Sequence, residues 1–172
     1  MTAPIRIGVS ACLLGEQVRY DGGHKCDRAI VDILGAHFDF VLVCPEVECG
    51  MPTPREAMHL EGTPSNPRLI TNKSHADKTD QMLNYCRARV RMLENFNLCG
   101  FIFKERSPSC GLDTVPLHGC GTDKRFTGGL FATEIARSFP SMPLEEAERL
   151  NAPVIRENFI EMVLRYQRLS CR

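Results

Sequence analysis

The chain has 172 residues, which fits one domain with room for a short extension. Its 21 basic and 21 acidic side chains cancel, so a broad electrostatic nucleic-acid footprint is excluded, although a single nucleotide needs only two or three local donors. A hydrophobic content of 43% is too high for a disordered chain, and nine cysteines are too few, and odd in number, for a secreted disulfide scaffold.

The opening stretch MTAPIRIGVSACLL is broken by Arg6, Gly8 and Ser10, so it reads as neither a signal peptide nor a membrane span. A cytoplasmic setting with reduced thiols is expected. Residues 5–9 (IRIGV) predict a first buried strand. Residues 27–34 (DRAIVDIL) follow a Gly-Gly turn and carry Ile30, Ile33 and Leu34 on one side of a helix. Residues 38–43 (FDFVLV) predict a second strand. Residues 51–74 hold prolines at 52, 54, 64 and 67, show little periodicity, and predict a long functional or mobile loop. Residues 77–96 place Met82, Cys86, Val90 and Leu93 at helical spacing, and residues 100–104 (GFIFK) predict a third strand. A short helix over 129–139 is stopped by Pro140. Residues 140–153 read as a linker with a short acidic helical turn. An amphipathic helix over 154–169 follows, with Ile155, Phe159, Met162, Val163 and Tyr166 as its stripe. It is expected to dock on the sheet, or else to meet a helical partner domain or a second copy of the chain. This alternation predicts an α/β fold: three layers around a mostly parallel, Rossmann-like sheet, with a C-terminal helical extension. The expected division is 1–139 for the α/β domain and 140–172 for the linker and helix.

Cys12 follows the first strand, Cys44 the second, and Cys110 the third, within Ser107-Pro108-Ser109-Cys110-Gly111. In a parallel sheet all three lie at the carboxyl edge, where open α/β sheets bind ligands, and three converging thiols suggest a metal site. Cys86 and Cys99 read as core fillers. Cys26, Cys49, Cys120 and Cys171 fall in loops or at the tail, and only Cys49 and Cys120 are candidates to assist. No Cys-x-x-Cys is present, against both a zinc ribbon and a thioredoxin-like pair. Glu46, two residues past Cys44, is a candidate general base or proton carrier, against the plainer reading of a capping or surface carboxylate. Ser107 either shapes its turn or faces the same crevice. Residues 19–25 resemble an anion-binding turn without matching a P-loop.

Ser10-Ala11-Cys12-Leu13-Leu14-Gly15, Val18-Arg19-Tyr20-Asp21-Gly22-Gly23-His24-Lys25, Cys44-Pro45-Glu46, Thr53-Pro54-Arg55 and Ser107-Pro108-Ser109-Cys110-Gly111 occur in the order seen in the YbbK-like family, which includes the thiouracil desulfidases. The chain resembles that family over about residues 5–111. Further motifs, from Gly129-Leu130-Phe131-Ala132 to Arg156-Glu157-Asn158-Phe159, resemble the subgroup with an added helical YbgA-like domain. The resemblance implies a [4Fe-4S] cluster on Cys12, Cys44 and Cys110 with one open iron. It also implies non-redox removal of sulfur from a thiouracil-type ring as hydrosulfide, with Glu46 activating water or carrying a proton and Ser107 orienting substrate or water. Arg19, His24, Lys25 and Arg55 are the expected ligands of a nucleotide phosphate, such as that of 4-thiouridine monophosphate. Transfer RNA is an expected partner if a second domain is present. Two positions depart from the pattern: Cys26 stands where many relatives have a basic residue, and Cys49 adds a thiol close to Glu46. The same three cysteines also suit a zinc- or iron-dependent hydrolase, or a non-catalytic iron–sulfur sensor.

Overall fold

The computed structural model describes residues 4–119 and 121–170. Cys120 and Cys171 lie outside the described residues. Strands β1 (Arg6–Ser10), β2 (Asp39–Val43) and β5 (Leu98–Phe103) form where the apolar runs predict them. With β8 (Leu144–Glu146) they make a wholly parallel sheet of order β2-β1-β5-β8. Every residue of β5 is buried, as a central strand covered on both faces requires. The chain runs from β1 outward to β2 on one side and to β5 on the other, so the order reverses between β1 and β5. Such a reversal opens a crevice at the carboxyl edge of a parallel sheet.

Two apolar layers cover this sheet. On one face Phe101 and Phe103 stack at 4.3 Å and pack with Phe131, Met82, Val90 and Leu93. The last three lie on α2 (Thr79–Leu93), and Phe131 lies on α3 (Leu130–Ser138). On the other face Ile7, Val9 and Ile102 meet Ile30, Leu34, Phe159 and Val163. The helical pattern at 27–34 appears as a π-turn (Ala29–Ile33) running into a tighter turn (Leu34–Ala36) rather than a regular α-helix. Phe159 and Val163 belong to α4 (Pro153–Ser170), which therefore docks on the sheet, while Met162 of its expected stripe stays partly exposed. A register shift between β1 and β5 turns Gly100 toward α4. A Cβ there would lie 2.9 Å from Val163 Cγ2, so only glycine admits this close approach.

Two segments differ from their expectations. The proline-rich stretch expected as a loop contains a hairpin, β3 (Met58–Thr63) and β4 (Asn66–Thr71). It builds a second sheet, β4-β3-β6-β7, with β6 (Val115–His118) and β7 (Arg125–Thr127). Pro67 is tolerated because β4 is an edge strand, where a missing N–H costs no ladder bond. The segment expected as a linker supplies β8, whose buried Glu146 accepts from Leu112 N at 2.8 Å and Thr114 Oγ1 at 2.7 Å. No helix is long and apolar enough to cross a membrane among the described residues.

Candidate active site

The carboxyl ends of β1, β2 and β5 surround a cavity of about 360 Å³. Cys12, Cys44 and Cys110 all line it, as do Glu46, Ser107, Arg19, Lys25 and Arg55. Cys12 sits in the helical turn Ala11–Leu14 that follows β1. Cys44 caps α1 (Pro45–Glu48), with backbone N–H groups of Glu46 and Val47 directed at its sulfur. Cys110 lies on the loop after β5; its sulfur receives a hydrogen bond from Ser10, and Ser109 Oγ lies 3.8 Å from it. No disulfide joins the three.

Burial dominates their acidity. It pushes Cys12 up to about 11, aided by the neighbouring Cys44, and it raises Cys44 and Cys110 as well. Three desolvated thiols facing one cavity are poor anions alone and good ligands for a soft cation, whose charge reverses the penalty. The donor set, with oriented N–H and O–H groups beside the sulfurs, therefore fits an iron–sulfur cluster. Among the described residues, no group of three His, Cys, Asp or Glu side chains is arranged to hold a single metal ion.

The carboxylate of Glu46 is held from both sides. Arg55 donates Nε–H at 2.8 Å and Nη2–H at 2.6 Å to Oε2, and Ser109 Oγ donates at 3.0 Å to Oε1. The Arg55–Glu46 pair is buried, with side chains 7% and 12% exposed. Ser107 Oγ accepts the backbone N–H groups of Ser109 at 3.3 Å and Cys110 at 3.2 Å, and lies 3.1 Å from Ser109 Oγ. Its hydroxyl thus closes the turn that carries Cys110. The N-terminus of α3 holds the same loop, because Leu130 N donates to Pro108 O and the N–H groups of Phe131 and Ala132 donate to Ser109 O.

Three of the expected phosphate ligands stand at the cavity wall, and His24 does not. His24 is exposed, and its Nδ1 accepts from Cys26 N at 3.1 Å. Four N–H groups of the 19–25 segment are used within the chain: Arg19 N donates to Gly23 O, Gly22 N to Arg19 O, Gly23 N to Asp21 Oδ1, and Lys25 N to Cys12 O. Arg19 lies over the Tyr20 ring at 5.6 Å from its centroid. Tyr20, 43% exposed, is the one aromatic side chain among the described residues of the wall. Cys86 and Cys99 are buried core residues. Cys49 donates its Sγ–H to Glu46 O at 3.2 Å. Sequence reasoning missed Ser109 and the bond between Arg55 and Glu46; the available signal was their place in three of the short motifs, 44–46, 53–55 and 107–111.

A family model described as 2-thiouracil desulfurase matches residues 7–147, which contain all three cavity thiols. The uncharacterized protein YbbK of Bacillus subtilis (strain 168) is 32% identical over 128 residues, covering 70% of this chain and 82% of YbbK. The solved structure of the [4Fe-4S]-dependent thiouracil desulfidase TudS superposes with a TM-score of 0.72 at 27% identity, covering 90% of this chain and 98% of that one. The chain belongs to the 2-thiouracil desulfurase family.

Proposed function

We propose that this protein is an iron–sulfur desulfidase of the reducing cytoplasm that exchanges the sulfur of a thiouracil-type ring for oxygen. The observation that carries the reading is the convergence of Cys12, Cys44 and Cys110 on one cavity that also holds Glu46. These three thiols would hold a [4Fe-4S] cluster with one iron left without a protein ligand. When bound, the cluster supplies a soft Lewis acid for the thiocarbonyl sulfur.

The remaining work falls to side chains of the cavity. Tyr20 offers a flat face against which a pyrimidine ring can lie. Glu46, as general base, takes a proton from water as its oxygen adds to the ring carbon. The C–S bond then breaks as the added hydroxyl gives up its proton to solvent and becomes the carbonyl, the proton held by Glu46 passes to the departing sulfur, and hydrosulfide leaves. Carbon keeps its oxidation state, so no electron donor is consumed. Ser107 fixes the loop that presents Ser109 and Cys110, and so acts on substrate or water through Ser109. A monophosphate arm would run past Lys25, Lys104 and Arg106, which line both this cavity and a second hollow. With zero net charge, transfer RNA would need surface from elsewhere.

The test is replacement of each thiol after anaerobic purification. Cys12→Ser, Cys44→Ser and Cys110→Ser should each lose iron and sulfide, while Cys86→Ser and Cys99→Ser keep them. Full iron retention in Cys110→Ser overturns the ligand assignment.

A further inference from the structure

We propose that Arg55 and Ser109 are positioning residues that clamp the Glu46 carboxylate, and that Arg55 is not a phosphate ligand. This inference deepens the function proposed above and rests on the catalytic role given there to Glu46. A guanidinium has five N–H donors. In Arg55 all of them are used inside the chain. Nε and Nη2 reach Glu46 Oε2, Nη2 also reaches Val18 O at 2.8 Å, and Nη1 reaches Pro52 O and Thr53 Oγ1, each at 3.2 Å. No donor remains for a substrate anion unless the clamp breaks. A buried charge stripped of its partner is also costly, so the pair holds its arrangement when substrate enters.

The clamp is asymmetric. Each carboxylate oxygen offers about two lone-pair sites. Both sites of Oε2 face Arg55, whereas Oε1 accepts, among the described residues, only from Ser109 Oγ. Oε1 is therefore the oxygen with capacity left for water or substrate. Ser109 accounts for the rest of the geometry. Its hydroxyl is 3.1 Å from Ser107 Oγ, which already accepts two backbone N–H groups, so the Ser107 proton is directed at Ser109 Oγ and the Ser109 proton at Glu46. Ser109 sits next to Cys110, and Glu46 two residues from Cys44. The chain of hydrogen bonds thus ties the carboxylate to the loops bearing two of the three cavity thiols.

A positioning residue and a phosphate ligand leave different kinetic marks. If Arg55 only orients Glu46, Arg55→Lys and Arg55→Gln lower kcat by about 10- to 100-fold, leave KM within about twofold, and do so equally for thiouracil and 4-thiouridine monophosphate. Ser109→Ala lowers kcat by about 10-fold with the same pattern. A KM that rises at least tenfold for the monophosphate alone would show that Arg55 binds phosphate, and an unchanged kcat in Arg55→Lys and Ser109→Ala would remove the clamp. Iron and sulfide content is measured in parallel to exclude loss of the loaded site. A second readout needs no turnover. In urea unfolding of the cluster-free protein, the Glu46→Gln, Arg55→Gln double-mutant cycle should give a stability coupling equal to a tenfold or larger factor in the unfolding equilibrium. Additive effects there overturn the clamp even if the wild-type protein proves inactive on thio-pyrimidines, whereas wild-type inactivity alone overturns only the proposed function.

Discussion

Gly129→Ala puts the geometry of the Cys110 loop under direct test. The residue precedes α3 with φ −64° and ψ 156°, a conformation alanine adopts without backbone strain. The added Cβ would instead stand 2.5 Å from Ser109 C, 2.6 Å from Ser109 O and 2.8 Å from Cys110 N. Carbon atoms pack at about 3.5 Å, so helix and loop must separate by roughly 1 Å. All three close atoms are backbone, and no rotamer change relieves them. The N–H bonds from Leu130, Phe131 and Ala132 to the loop, at 3.1, 3.0 and 3.1 Å, would lengthen beyond useful range. At about 1 kcal/mol each, their loss amounts to about 3 kcal/mol, or a melting temperature lowered by about 6–12 °C in a domain of this size. The functional effect should be larger, because a misplacement of about 1 Å costs on the order of 100-fold in rate. The assay is anaerobic iron and sulfide content, thermal unfolding and sulfide release, with Gly35→Ala as control. There the nearest atom to the new Cβ is Phe40 Cε2 at 3.4 Å, an ordinary contact. A Gly129→Ala protein with wild-type iron content and turnover would refute the idea that α3 holds the cysteine loop in place.

Two further perturbations probe the scaffold. Phe159→Ala should cost about 3–5 kcal/mol in urea unfolding, since Phe159 is fully buried where α4 meets the sheet. A loss below 1 kcal/mol would mean that α4 is not part of the core. Hydrogen bonds from Thr79, then Arg68, hold Asp77 down at about 2 from its ordinary 3.8. A depressed folded-state value stabilises above the unfolded value, so this contribution is full above about pH 5 and fades as pH falls from 4 toward 2. The side chain is 41% exposed, so after screening Asp77→Asn should cost about 0.5–1 kcal/mol at pH 7. That gap should narrow at pH 3, and a constant gap across this range contradicts the assignment.

The parts legible in the sequence are those where burial leaves a local pattern. β1 and β5 announce themselves because a parallel strand covered on both faces is a short, nearly continuous apolar run, and β2, though a half-exposed edge strand, keeps an apolar run of its own. Placing Cys12, Cys44 and Cys110 after those strands already brings them to one edge, and the cavity holds all three. The hairpin escaped because β3 and β4 are half-buried, and Gly62, Pro64 and Pro67 read as loop chemistry. β8 escaped for a different reason: Glu145 and Glu146 look like the exposed face of a helix. They are buried because Leu112 N and Thr114 Oγ1 satisfy Glu146, and Arg149 lies 3.4 Å from Glu145. Arg55 was readable as a basic residue near the site. Its commitment to Glu46 depends on how the 51–57 segment folds back, with Arg55 N donating to Tyr20 O at 2.8 Å. No spacing rule encodes that.

The most direct test of the central claim is anaerobic reconstitution of the wild-type protein with iron and sulfide, followed by incubation with thiouracil and 4-thiouridine monophosphate in the absence of any electron donor. The reconstituted protein should be brown, with about four iron and four sulfide per chain. It should release hydrosulfide and the corresponding oxo-pyrimidine in stoichiometric amounts, with both lost in Cys44→Ser. A colourless protein that binds a single zinc, or a loaded protein that releases no sulfide from either compound, would contradict the claim.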